Sequence, residues 1–144
     1  RLFQKVREDK GLSYNIFASN NQYTDTGIVV IYAATSHGNV NKVINLINLE
    51  IADIKKNGIK EEELEIAKEN TKGNIVLGVE DISSRMFRLG KALLIDGNVM
   101  TIDEILKKID SVKLSDVNYA AEKYFQPEKM SIAIIDKTRN GRLK

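Results

Sequence analysis

The stretch Arg1–Tyr32, RLFQKVREDKGLSYNIFASNNQYTDTGIVVIY, limits what this chain can fold into more than any other part of it. Leu2, Phe3 and Val6 form a short helical stripe, with Arg7 just beyond it. Gly11 supplies the left-handed residue that stops a helix, after Arg7 and Lys10 have met the negative end of its dipole. From Ser13 the pattern alternates weakly, with Tyr14, Ile16 and Ala18 on one face and Asn15 and Phe17 on the other. The polar tract NNQYTDTG contains the turn signal Asp25-Thr26-Gly27. Ile28 to Ala34 then runs without a polar break, which predicts a central strand buried on both faces. A helix, a glycine stop and an antiparallel hairpin follow from this. The arrangement holds a guanidinium, Arg7, at a helix end and a phenol, Tyr14, at a strand start.

The rest of the chain reads mainly as helix. Asn39 is placed to cap a helix whose apolar stripe is Val40, Val43, Ile44, Ile47, Ile51 and Ile54, closed by Gly58. KEEEL opens another, its acidic first turn matching the positive helix end, and Leu64, Ile66, Ala67 and Ile75 continue it. A further helix after Asp81 carries Met86, Phe87, Leu89, Leu93 and Leu94 and ends at Asp96-Gly97-Asn98. Thr101 and Glu104 form a capping box, and Ser115 is expected to cap the last helix. Gln126-Pro127 breaks it, and Met130 to Ile135 is expected to form one more strand. The order predicts an α+β fold, an antiparallel sheet with helices packed on one face. The basic tail 137–144 lacks the apolar residues to dock and is expected to be loose.

Composition excludes several kinds of function. With 22 basic and 20 acidic residues, the net charge of +2 gives no electrostatic case for nucleic-acid or membrane binding. No apolar run reaches bilayer-spanning length. The absence of cysteine removes thiolate chemistry and disulfides, and favours a cytoplasmic location. His37 is the sole histidine, in the loop Ser36-His37-Gly38, and one histidine builds no catalytic zinc site. The expected metal ligands of this chain are therefore none. Glu61 to Glu63 and Glu80-Asp81 are explained by helix-start charge and solvated faces, and Ser83-Ser84-Arg85 has no histidine near enough for a triad.

RLFQKVREDKGLSYNIFAS, DTGIVVIYAATS, EEELEIAKENTKG, SSRMFRLGKALL, TIDEILKKIDSV and MSIAIID occur here in that order. Together they resemble the C-terminal, non-zinc half-domain of the pitrilysin/insulinase and mitochondrial processing peptidase family of zinc metallopeptidases. The resemblance covers 1–136 and implies a larger αβ roll whose leading strands precede residue 1, so the chain reads as part of something longer. It implies an endopeptidase for peptides or unfolded polypeptides, closed like a clamshell around its substrate. In that family the zinc motif, two histidines flanking a glutamate, lies in the other half, on the same chain or in a separate subunit. The half-domain alone is then inactive. An arginine and a tyrosine reach across from this half to the zinc site, and the matching positions are Arg7 and Tyr14. The resemblance gives Arg7 a substrate carbonyl to hold, and gives Tyr14 both substrate contact and stabilisation of the oxyanion formed in peptide hydrolysis. Noncatalytic scaffold subunits that pair with a catalytic partner share the same segment, and they are the competing reading. The missing strands imply an exposed sheet edge, open to self-association or to pairing with another chain.

Overall fold

The computed structural model describes residues 1–135, so the basic tail expected at 137–144 lies outside the described residues. The fold is α+β, in two compact units: Arg1–Lys56 with the chain from Glu122, and Asn57–Ala121.

In the first unit, β1 (Asn15–Gln22) and β2 (Gly27–Ala34) form an antiparallel two-stranded sheet with Ile16 opposite Ala33 and Phe17 opposite Tyr32. The turn between them is closed by the Tyr23 N–H donating to the Thr26 carbonyl at 2.9 Å. After a short 3₁₀ turn, His37–Asn39, comes α1 (Val40–Asn57). Its apolar stripe packs as its spacing requires: Val43 is buried, and Leu46 and Ile47 support it. The core of this unit is Val6, Ile16 and Val43, one residue each from the first helical segment, the hairpin and α1. One face of the hairpin is therefore covered at its Ile16–Ala33 end.

The opposite face is not covered. Phe17 stacks on Tyr32 with ring centroids 5.2 Å apart, and both rings stay about half exposed, as does Ile28. This corrects the expectation that β2 is central and buried on both faces. Its apolar run was read correctly as strand, but β1 is its only neighbour among the described residues, and an apolar run cannot bury a face that nothing packs against. The strand expected at Met130 to Ile135 is likewise absent. The segment pairs with neither β1 nor β2, and without ladder hydrogen bonds alternating apolar residues do not make a strand.

In the second unit, α2 (Glu61–Gly78), α3 (Ile82–Asp96), α4 (Ile102–Asp110) and the larger part of α5 (Leu114–Tyr124) follow one another. Gly58, before α2, takes φ +71° against the Asn118 side chain, a position where a Cβ would be both strained and crowded. Thr101 and Glu104 make the capping box of α4, and Asp81 accepts from the Ser84 N–H at 2.6 Å to cap α3. These hydrogen bonds hold both carboxyls, Asp81 and Glu104, below their ordinary range. Ser115 does not cap α5. Lys113 occupies that position, and its N–H donates to the Asp116 carboxylate three residues on at 2.9 Å, the reciprocal half of a capping box. Lys72 of α2 bridges Asp110 of α4 at 2.8 Å and Glu69 at 2.6 Å, which raises its pKa.

Candidate functional site

The first helical segment, Phe3–Glu8, is a π-helix and not the α-helix its stripe suggested. It starts in α-helical spacing, with the Lys5 N–H on the Arg1 carbonyl at 2.9 Å, and then widens, the Asp9 N–H reaching the Gln4 carbonyl at 2.8 Å. Its C-terminal end is closed by two nested bonds, Gly11 N–H to the Arg7 carbonyl at 3.0 Å and Leu12 N–H to the Val6 carbonyl at 2.9 Å. A Schellman motif nests two bonds in the same way, and here each spans one residue more, as the wider helix demands. Gly11 sits at φ +60°, as the sequence predicted.

From the turn into the hairpin, hydrogen bonds anchor Leu12, Ser13 and Tyr14. Thr35 Oγ1 donates to the Leu12 carbonyl. Buried Ser13 directs its hydroxyl at the carbonyls of Ala34 and Asn15, at 2.8 and 2.7 Å. The Tyr14 N–H donates to Ala34 at 2.9 Å.

Arg7 and Tyr14 stand at the two ends of this pinned turn. The Arg7 guanidinium lies over the Phe3 ring, 4.7 Å from its centroid, and its Nε is 3.6 Å from Glu8 Oε1. That use of Phe3 explains why the ring is half exposed, where the stripe had assigned it to the core. Tyr14 is 83% exposed although Ile16, expected on the same face, is buried: β1 begins only at Asn15, so strand alternation does not extend back to Tyr14. The two side chains make no hydrogen bond to each other among the described residues. Both side chains are exposed.

One contributor escaped the sequence reading. Glu50 of α1 is 7% exposed, with Oε1 2.6 Å from Lys5 Nζ and Oε2 3.9 Å from Arg1 Nη1. The signal was there: Val43, Ile47, Glu50 and Ile54 share one stripe, and a carboxylate at such a position calls for a cation from the facing element. Arg1 Nη1 also donates to Asp53 at 2.7 Å.

The donor set does not fit a zinc ion. No group of three or more His, Cys, Asp or Glu among the described residues is arranged to hold a metal, and His37 lies in its 3₁₀ turn outside any such cluster. None of the described helices is long and apolar enough to cross a membrane.

Residues 1–71 match the family described as the Peptidase M16 inactive domain. The chain is 38% identical over 97% of its length to a Bacillus subtilis protein named uncharacterized zinc protease YmxG, of which it covers 34%. It is 38% identical over 84% of its length to an uncharacterized zinc protease of Mycobacterium leprae, covering 27% of that protein. The chain thus spans about a third or less of the curated relatives it matches. Among solved structures, a conserved protein from Enterococcus faecalis aligns with a TM-score of 0.70 and 25% identity over 85% of this chain and 28% of that one. A protease from Helicobacter pylori aligns with a TM-score of 0.68 at 20% identity, over 87% of this chain and 30% of that one, a likeness of fold. The chain belongs to the M16 peptidase family, as a half-domain of its C-terminal, inactive type.

Proposed function

We propose that this chain is the substrate-binding, chamber-closing half of a zinc-dependent endopeptidase acting on peptides or unfolded polypeptides. Arg7 and Tyr14 are the groups it contributes to a site carried by a second half, on the same polypeptide or a separate subunit. The observation that carries the reading is the contrast at the turn between them: a backbone tied down by Gly11, Ser13 and Thr35 presents two exposed polar side chains. Exposed groups on a fixed backbone, with Arg7 steadied by the neighbouring Phe3 ring and Glu8, are what a site completed by another surface requires. The curated relatives are zinc proteases by name, and metal, where the parent protein uses it, belongs to the other half.

In this reading Arg7 donates to a backbone carbonyl of the bound peptide, a contact made before and during reaction. The Tyr14 hydroxyl donates to the carbonyl oxygen under attack, whose charge grows towards the transition state. The test is steady-state cleavage of a quenched peptide by the full-length protein carrying Arg7→Ala. A rise in KM of roughly tenfold with an unchanged melting temperature is expected. Unaltered KM and kcat would remove Arg7 from the site.

A further inference from the structure

The buried carboxylate of Glu50 sits against the point where the first helix changes its hydrogen-bonding register. Lys5 still bonds back four residues, to Arg1, whereas Asp9 bonds back five, to Gln4. The two cations that meet Glu50, Arg1 and Lys5, are the two ends of that four-residue bond. Downstream of this clamp the widened turn carries Arg7. Relaxing it to α-helical spacing would move Arg7 by one residue, a rotation of about 100° around the helix axis. Glu50 is 7% exposed in an otherwise apolar stripe, and its Oε2 makes no hydrogen bond among the described residues. A carboxylate so placed is a poor way to gain stability over an apolar residue of similar size. Fixing one register among several is the best-attested use of a buried ion pair.

We propose that Glu50 is a positioning residue: its ion pairs with Lys5 and Arg1 hold the Phe3–Glu8 segment in π register and so aim Arg7. The proposal rests on the reading of Arg7 above for its functional consequence, and on the geometry alone for the register lock. Glu50 itself touches no substrate.

The test uses the full-length protein carrying Glu50→Gln, which keeps the side-chain shape and removes the charge. Lys5→Gln serves as a second variant, because the Lys5 side chain is 46% exposed and its loss leaves the core intact. Amide hydrogen exchange reads the lock directly. In both variants exchange at Asp9 and Leu12 is expected to quicken about tenfold, while the α1 amides around Val43 stay protected. Unchanged exchange at Asp9 and Leu12 in both variants overturns the proposal.

Peptide kinetics read the consequence. Both variants are expected to raise KM about fivefold, and Glu50→Gln added to Arg7→Ala should cost less than about twofold beyond Arg7→Ala alone, because one acts through the other. Fully additive losses overturn the positioning role. Quickened exchange together with kinetically silent Arg7→Ala supports the lock and places the failure in the functional reading of Arg7.

Discussion

Val6 is the residue on which the first unit closes, and truncating it tests the packing account most sharply. It is fully buried (0% exposed), on the turn before Arg7, and meets Ile16 of the hairpin and Val43 of α1. Val6→Ala removes two methyl-sized groups. At about 0.8 kcal/mol per buried carbon the transfer loss is roughly 1.6 kcal/mol. The space left behind adds on the order of 1 kcal/mol, since elements meeting from three parts of the chain cannot all close in at once. The expected loss is about 2–3 kcal/mol, a large share of the roughly 5–15 kcal/mol that holds a domain folded. Urea unfolding followed by circular dichroism measures it as a lowered midpoint at unchanged slope. Leu94→Ala, at an 87% exposed position, is the control and should stay within about 0.5 kcal/mol. A Val6→Ala loss no larger than the control's would refute the assignment of Val6 to the core.

Three further outcomes are expected. Gly11→Ala has open space around its new Cβ, so its cost is that of the left-handed backbone alone, about 1–2 kcal/mol, and a neutral melt would contradict the turn geometry. Asp81 and Glu104 have depressed pKa values, so their caps contribute fully above the unfolded carboxylate range and fade as pH falls through the folded values; α3 and α4 amides should exchange faster on acidification, and Asp81→Asn should blunt that response in α3. The separate chain is expected to self-associate through the open hairpin face and sheet edge, so sedimentation showing only monomer at high concentration would count against the surface as a pairing site.

The parts of the fold legible in the sequence were those set by local chemistry. The glycine stop at Gly11, the hairpin, the α1 stripe and the Thr101 capping box each depend on residues a few positions apart, and each formed where its pattern lay. What escaped depended on partners far along the chain. β2 has the composition of a buried strand, yet its open face reflects which elements are there to cover it. Met130 to Ile135 has strand composition and no strand to pair with. The π register of the first helix was invisible because Leu2, Phe3 and Val6 suit either spacing, and the carboxylate that faces it comes from Glu50. Arg7 and Tyr14 are singled out by family resemblance alone, since periodicity makes them an ordinary surface arginine and strand tyrosine.

The central claim, that this half-domain supplies a reacting group to a site it does not itself contain, rests most directly on the Tyr14 hydroxyl. Tyr14→Phe removes one oxygen from an 83% exposed ring and disturbs no hydrogen bond of the pinned turn, so the fold should be unaffected. The deciding measurement is kcat for peptide cleavage by the full-length protein, wild type against Tyr14→Phe, beside thermal melts of both. The account predicts a fall in kcat of roughly tenfold to a thousandfold, with KM little changed and equal melting temperatures. A kcat within twofold of wild type, in a protein that melts normally, would contradict it.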